Sequence, residues 1–392
     1  MGLNYYSMKK CIILYTANYC AKIKNYFCVD DLVRKSVNVE FWDLGPITLN
    51  EHLANVETPG LIIRRVKNKK EYEVLIKENT NAVFFSFMNY AWYSFIVYRM
   101  LSKYNCDIVY CTSGCLPPLS SSKGIKIIAR LNAKQLIARI KGRLYRFLLK
   151  SKLFKPAKIV LQSCRAATCD YKTSDSTVFV GCNSGDYQGY LSVKSSLNHS
   201  DNKIGRYVVY IDQYLPFHND FTLRGVQHIN AETFYRSINL LFARIEKKYG
   251  CEVVIAAHPS SLKYEEHDFF CGRKVYYNRT AELINQCIGA ITCNSTAISF
   301  PVIDKKPILV YTSNDIESRY LFFNTLLFPK LLDLEFVNID ECSEVYFRDV
   351  NMHRYEKYKY DYLTTPISEH INNSDIIISV LNNNYKKYIY HE

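Results

Sequence analysis

Four polar clusters hold the residues able to do chemistry, and all four fall in the second half of the chain. The first is YIDQYLPFHND, with Asp212, His218 and Asp220 around a stiffening Pro216. Two carboxylates and an imidazole in one loop offer a general base for deprotonating a hydroxyl. The second is His258-Pro259, which ends the apolar run EVVIAA. The imidazole can donate to an anion, with a positive charge if protonated, and the proline helps turn the chain sharply. The third is Glu282, in the first turn of a predicted helix. The fourth is NSTAIS, where Asn294, Ser295 and Thr296 open another. Unpaired N–H groups and a favourable dipole at a helix start, beside two hydroxyls, suit a phosphate. Each cluster also has a plain structural reading: a His-Pro turn, a Ser-Thr N-cap, a glutamate favouring its helix dipole, an aspartate capping a loop.

The elements around these clusters alternate. KKCIILYT, VEFWDL, VLIKENTNAVFFSF, DIVYCTSG, KIVLQSC and STVFVGC read as strands of a first set, with helices through AKIKNYF and residues 90–104. RYVVYIDQ, EVVIAAHP, KVYYN, GAITCNSTAI and KPILVYTS read as strands of a second. Between them lie NAETFYRSINLLFARIEKKYG, capped by Asn230 and closed by Gly250, and RTAELINQC, with Thr280 as its expected N-cap. Short β-rich runs alternating with helices imply parallel sheets covered on both faces. The expected fold class is therefore α/β, with two doubly wound Rossmann-like domains facing across a cleft. Ligands of such sheets sit beyond the carboxyl ends of the strands. The expected domains are 1–195, carrying a basic amphipathic segment at 123–158, and 206–345. The polar stretch 192–205 reads as a linker. A tail, 346–392, is expected to be helical and to pack back on the first domain.

The 392 residues exceed one ordinary core, and the composition is that of a globular chain. The 14 cysteines form no C-x-x-C pair. Scattered buried thiols in a reducing compartment are the better reading than a zinc site. No D-x-D stretch occurs, and neither a metal nor a cofactor is expected. The N-terminus shows no clean signal peptide. Residues 79–98 are long and uncharged enough to raise a membrane span, but Asn89, Ser86, Ser94 and three tyrosines favour a buried strand running into a helix.

Charge is unevenly spread. Between Ile108 and Cys169 stand 13 Lys or Arg and no Asp or Glu, while the rest of the chain carries 37 of each sign. Leu136, Ile137, Ile140, Leu144, Phe147 and Leu148 recur there at helical spacing, with Lys141, Arg143, Arg146 and Lys150 between them. An anionic membrane surface and an ordinary core-packed helix with a solvated basic face both fit. No groove-reading motif or stacking platform supports nucleic acid as a partner.

The run VVIAAHPSS…RTAELINQCIGAITCNSTAISFPVIDKKPILV resembles the donor half of bacterial GT-B glycosyltransferases that use CMP-activated acidic sugars, among them sialyltransferases and Kdo transferases of surface-polysaccharide synthesis. The resemblance covers about residues 205–315 and implies an inverting transfer from a CMP-sugar to a glycan or glycolipid hydroxyl. It implies that His258 and the Ser295–Thr296 pair take the nucleotide phosphate and Glu282 the ribose, with Pro259 and Asn294 in the same nucleotide-sugar-binding site. It also implies a cytoplasmic enzyme at the inner face of the membrane. The family's acidic motif with its glycine is absent. Asp212 is the leading base, followed by Asp220 and His218, with Asp186 in NSGDYQGYL as an outsider. A UDP- or GDP-sugar donor, or a non-catalytic glycan- or membrane-binding protein of the same fold, are the competing expectations.

Overall fold

Thirteen short runs rich in Val, Ile, Phe and Tyr form strands in the computed structural model, which describes residues 8–49, 53, 55–114, 117, 142–197, 205–218, 221, 227–318 and 325–391. The chain divides into two compact units. One holds β1–β7 together with the residues from Tyr360 onward, and the other spans Tyr190–Lys359 with β8–β13.

In the first unit the strands are β1 (Cys11–Tyr15), β2 (Val39–Asp43), β3 (Ile62–Arg65), β4 (Val83–Ser86), β5 (Asp107–Cys111), β6 (Ile159–Gln162) and β7 (Val178–Gly181), in the spatial order β3-β2-β1-β4-β5-β6-β7. The second unit has β8 (Tyr207–Ile211), β9 (Glu252–Ala257), β10 (Val275–Tyr277), β11 (Gly289–Thr292), β12 (Ile308–Thr312) and β13 (Glu335–Asn338), in the order β10-β9-β8-β11-β12-β13. Every pairing is parallel. Both sheets are doubly wound, so the two-unit α/β, GT-B-like class is the observed one. In each sheet the order reverses once, at β1/β4 and at β8/β11. At such a reversal the ligands of doubly wound sheets sit, beyond the strand ends.

The central strands are buried on both faces, which explains their unbroken apolar runs. The long helix Ala231–Tyr249 covers one face of the second sheet with Phe234, Ile238, Leu241, Phe242 and Ile245, each contributing about 2 kcal/mol by burial. Asn230 caps it by accepting the Thr233 N–H at 2.9 Å, and Gly250 closes it at φ 56°.

Several elements depart from the sequence reading. VLIKE belongs to the helix Lys69–Glu78, where Tyr72 and Ile76 form a buried stripe and Asn68 caps two N–H groups. Its two buried residues lie four apart, the helical period that a β-propensity reading overlooks. The aromatic helix begins only at Phe95. Thr280 is the first helical residue of Thr280–Gln286, and Arg279 occupies the cap position without a side-chain cap. The stretch read as a linker starts inside the helix Gly185–Leu197. Strand β3 is not legible in the sequence because both faces of this edge strand are exposed, and β13 because it is short and half-buried. Among the described residues no helix is long and apolar enough to cross a membrane, and residues 83–86 and 95–103 are a strand and a helix.

Residues 118–141, with Leu136, Ile137, Ile140 and Lys141, lie outside the described residues. Of the remaining stripe, Leu144 and Phe147 are exposed rather than packed. Most cysteines of the described residues are buried, and burial pushes a thiol such as Cys293 up to about 12.

Candidate functional site

Strand β8 ends at Ile211, and the next residue holds the loops together. Asp212 continues the ladder by donating its N–H to the Ala256 carbonyl at 3.0 Å. Its Oδ1 accepts the Tyr214 N–H at 2.9 Å and its Oδ2 the His258 N–H at 3.2 Å. The Tyr264 hydroxyl, hydrogen-bonded to that of Tyr235 at 3.0 Å, is a neighbour that lowers the carboxyl pKa. Only 4% of Asp212 is exposed. Burial raises its carboxyl to about 6, against the lowering effect of these hydrogen bonds. Its lone pairs are thus occupied by the two loops that leave β8 and β9.

Gln213 crosses the reversal point of the sheet. Its Oε1 accepts the Asn294 N–H at 2.7 Å, tying the loop after β8 to the loop after β11. Tyr214 then takes a left-handed backbone, φ 54°, which a bulky residue adopts only under constraint. The constraint here is the Asp212 bond to its N–H, and the outcome is the 3-10 turn Leu215–Phe217 leading to His218.

His258 follows β9. Its Nδ1 accepts the Ser260 N–H at 3.2 Å, so the neutral ring carries its proton on Nε2. Burial first, and then the neighbouring His218, lower its pKa. At neutral pH it is an uncharged N–H donor, not the cation that a protonated ring would supply. Pro259 occupies the second position of a turn closed by the Ser261 N–H on the His258 carbonyl at 3.0 Å. The His218 ring stands edge-on to His258 with centroids 5.4 Å apart. Both imidazoles therefore belong to one cluster.

Beyond β11, Ser295 accepts the Ala297 N–H at 3.2 Å and so acts as an N-cap, while Thr296 is exposed. The helical segment it opens is one 3-10 turn, Thr296–Ile298, followed by Ser299–Ile303. Such a short segment carries a small dipole, so hydroxyls and N–H groups, rather than a macrodipole, are what this loop offers an anion. Glu282 is gripped by Arg279, whose Nε donates at 2.7 Å and whose Nη2 bonds the other oxygen; the ion pair lowers the carboxyl pKa. Arg279 in turn lies over the Tyr276 ring at 5.1 Å. Asp220 lies outside the described residues. Asp186 stands in the first turn of the helix Gly185–Leu197, away in sequence from these loops.

The structure thus links Asp212, Gln213, His218, His258 and Asn294 by direct contacts, with Ser295 and Thr296 next in the chain. Gln213, Tyr264 and Arg279 carry parts of this arrangement that residue types alone did not reveal. A long polar side chain directly after the strand at a reversal point is the signal that would have found Gln213.

No protein-family model and no curated protein matches the chain. Solved structures of similar fold exist. UDP-GlcNAc 2-epimerase from Methanocaldococcus jannaschii is 11% identical at a TM-score of 0.47, over 96% of this chain and 100% of that one. The wall teichoic acid polymerase TagF is 12% identical at 0.47, over 97% and 90%. Another UDP-N-acetylglucosamine 2-epimerase is 10% identical at 0.49, over 98% and 99%. These likenesses are distant, and the roles of the site residues rest on this chain's own geometry. Among the described residues no group of three or more His, Cys, Asp or Glu is placed to hold a metal ion.

Proposed function

We propose that this chain is an inverting glycosyltransferase that moves an acidic sugar, of the sialic, Kdo, pseudaminic or legionaminic class, from CMP to a hydroxyl of a surface-glycan acceptor. The observation that carries the reading is the pair of hydrogen bonds at the reversal point of the second sheet. Asp212 holds His258, and Gln213 holds Asn294. They tie the loops after β9 and β11, which carry His258 and the hydroxyls of Ser295 and Thr296, to consecutive residues after β8, the strand between them, and ligands of this fold class sit beyond such strand ends.

In this reading the phosphate of CMP lies among His258, Ser295 and Thr296, with Pro259 and Asn294 shaping its loops. The ribose hydroxyls reach Glu282. As the glycosidic bond to CMP breaks, negative charge grows on the departing phosphate and the fixed donors stabilise it. A neutral imidazole serves this purpose as a hydrogen-bond donor. The acceptor hydroxyl attacks the anomeric carbon from the opposite side and gives up its proton to a base. Asp212, spent on backbone N–H groups, is assigned to positioning. His218, beside His258, is assigned the proton, with Asp220 of the same loop as the next choice. The chemistry assigned here uses protein groups alone. The partners are a CMP-sugar, a glycan or glycolipid acceptor and the inner face of an anionic membrane.

The test is incubation with a panel of CMP-, UDP- and GDP-sugars, following nucleotide release and the thermal shift given by each free nucleotide. CMP should raise the melting temperature and a CMP-acidic sugar should be consumed. Stabilisation by UDP or GDP alone would assign a different donor. No stabilisation by any of the three would leave a non-catalytic protein.

A further inference from the structure

We infer that the helix at residues 142–149 is an interfacial anchor that inserts Phe147 and Leu144 into an anionic lipid surface. The inference concerns the partner named above and does not depend on the sugar donor.

The helix has two faces, and the structure assigns them. At about 3.6 residues per turn, Tyr145, Leu148 and Leu149 point one way. These three are partly buried against the core of the first unit. The Tyr145 ring packs on Phe95 at 5.1 Å, and its carbonyl accepts the Tyr90 hydroxyl at 3.1 Å. The need of an amphipathic helix to bury one face is thereby met. The other face still carries large apolar side chains. Phe147 is 73% exposed and Leu144 is 53% exposed. Around them stand Arg143, Arg146 and Lys150, all exposed.

An isolated exposed leucine needs no explanation, but this surface differs in its surroundings. It lies within the stretch of 13 basic and no acidic residues between Ile108 and Cys169. An occupant of this surface must account for the basic side chains and for the exposed phenyl ring together. A membrane interface uses both. The ring and the Leu144 side chain enter the acyl boundary, while the guanidinium and ammonium groups stay level with anionic headgroups. Each basic side chain adds roughly a fivefold gain in partition near such a surface. Each apolar side chain, once buried, adds about tenfold or more.

The test uses the full chain without donor or acceptor, floated with phosphatidylcholine vesicles containing one third phosphatidylglycerol and with phosphatidylcholine alone. The chain should float with the anionic vesicles only. Leu144→Ser with Phe147→Ser keeps every charge and should lower partition by about a hundredfold. Arg143→Gln with Arg146→Gln and Lys150→Gln should lower it and flatten its dependence on salt. Phe147→Trp provides a second readout, because its emission should shift to the blue on anionic vesicles. Unchanged binding by the serine variant, no blue shift, or retention on RNA without vesicle binding would each overturn the inference. Vesicle binding without donor turnover would leave the anchor standing and remove only the enzymatic reading.

Discussion

Asp212 holds His258 through its backbone, not through its ring: Oδ2 takes the His258 N–H at 3.2 Å while the ring faces Ser260 and His218. The same carboxylate takes the Tyr214 N–H, so one buried group fixes where two loops leave the sheet. This separates two roles that residue type alone confuses. A carboxylate at the end of a strand can be a base or a staple, and we assign Asp212 the second role on its hydrogen-bond partners.

Burial makes the staple pH-sensitive. The Asp212 carboxyl titrates at about 6 in the folded protein, above its ordinary value of 3.8. The native state therefore binds more protons than the unfolded chain between these values. Its contribution to stability is full below about pH 4 and is lost as pH rises through about 6, a change of roughly 3 kcal/mol. Asp212→Asn should flatten this part of the profile of melting temperature against pH. A variant profile parallel to that of the wild type across pH 4–7 would mean that Asp212 does not titrate there.

His258 does two jobs that one substitution can separate. Asparagine places an oxygen near the Nδ1 position, able to accept the N–H two residues on, as in an Asx-turn. His258→Asn should therefore keep the Ser260 contact and the melting temperature while losing the Nε2–H donor. Donor turnover should fall by about a hundredfold or more, the scale of losing one transition-state donor. His258→Ala should lose both turn and turnover. An asparagine variant with full turnover would confine His258 to the turn.

How far the sequence discloses this site depends on what each residue does with its side chain. The strands that end at Ile211, Ala257 and Thr292 are legible as apolar runs, and the polar residues after them mark the sheet edge. The order β10-β9-β8-β11 is not legible, because it is set by packing between elements distant in the chain. For that reason the sequence does not reveal the role of Gln213, whose partner Asn294 lies 81 residues away. The apolar stripe of the basic segment was read from spacing alone. Spacing cannot tell which face meets a core, and the packed residues prove to be Tyr145, Leu148 and Leu149. Asn230 and Gly250 were legible because caps depend on neighbours three or four residues away.

Gln213 should matter for nucleotide binding more than for folding when its acceptor is kept. Gln213→Glu retains an oxygen for the Asn294 N–H but adds a negative charge beside the proposed phosphate position. Nucleotide affinity should fall about tenfold or more at low salt, less at high salt, with little change in melting temperature. Gln213→Leu leaves the Asn294 N–H without its acceptor and should lower stability by about 1–3 kcal/mol. Titration calorimetry with CMP on both variants distinguishes these outcomes. Equal affinity of the glutamate variant and wild type would move the phosphate elsewhere.

Glu282 poses the same choice between ligand and scaffold. Its pair with Arg279 is an i,i+3 contact of partly exposed side chains, worth under about 1 kcal/mol to the fold. Glu282→Gln should therefore fold normally. If the carboxylate accepts a ribose hydroxyl, the wild type should prefer CMP to its 2′-deoxy or 3′-deoxy analogue, and the variant should lose that preference. An unaltered preference would return Glu282 to helix and ion-pair duty.

The C-terminal residues are fastened to the first unit at a point where no side chain fits. A Cβ built on Gly181, the last residue of β7, would lie 2.5 Å from Ile367 Cγ2 and 2.5 Å from Thr365 Oγ1. Ile367 belongs to a segment held by Thr365, Ser368 and Asn373, whose polar atoms bond to one another and to Cys182 and Asn183. The Thr365 hydroxyl cannot yield without breaking part of that buried network. Gly181→Ala should therefore cost about 1–3 kcal/mol through overpacking. The damage should appear first as protease cleavage between Tyr360 and Asn373, because that segment is what the new methyl group displaces. Protease resistance and melting temperature equal to wild type would show that the segment shifts freely and is no fastening.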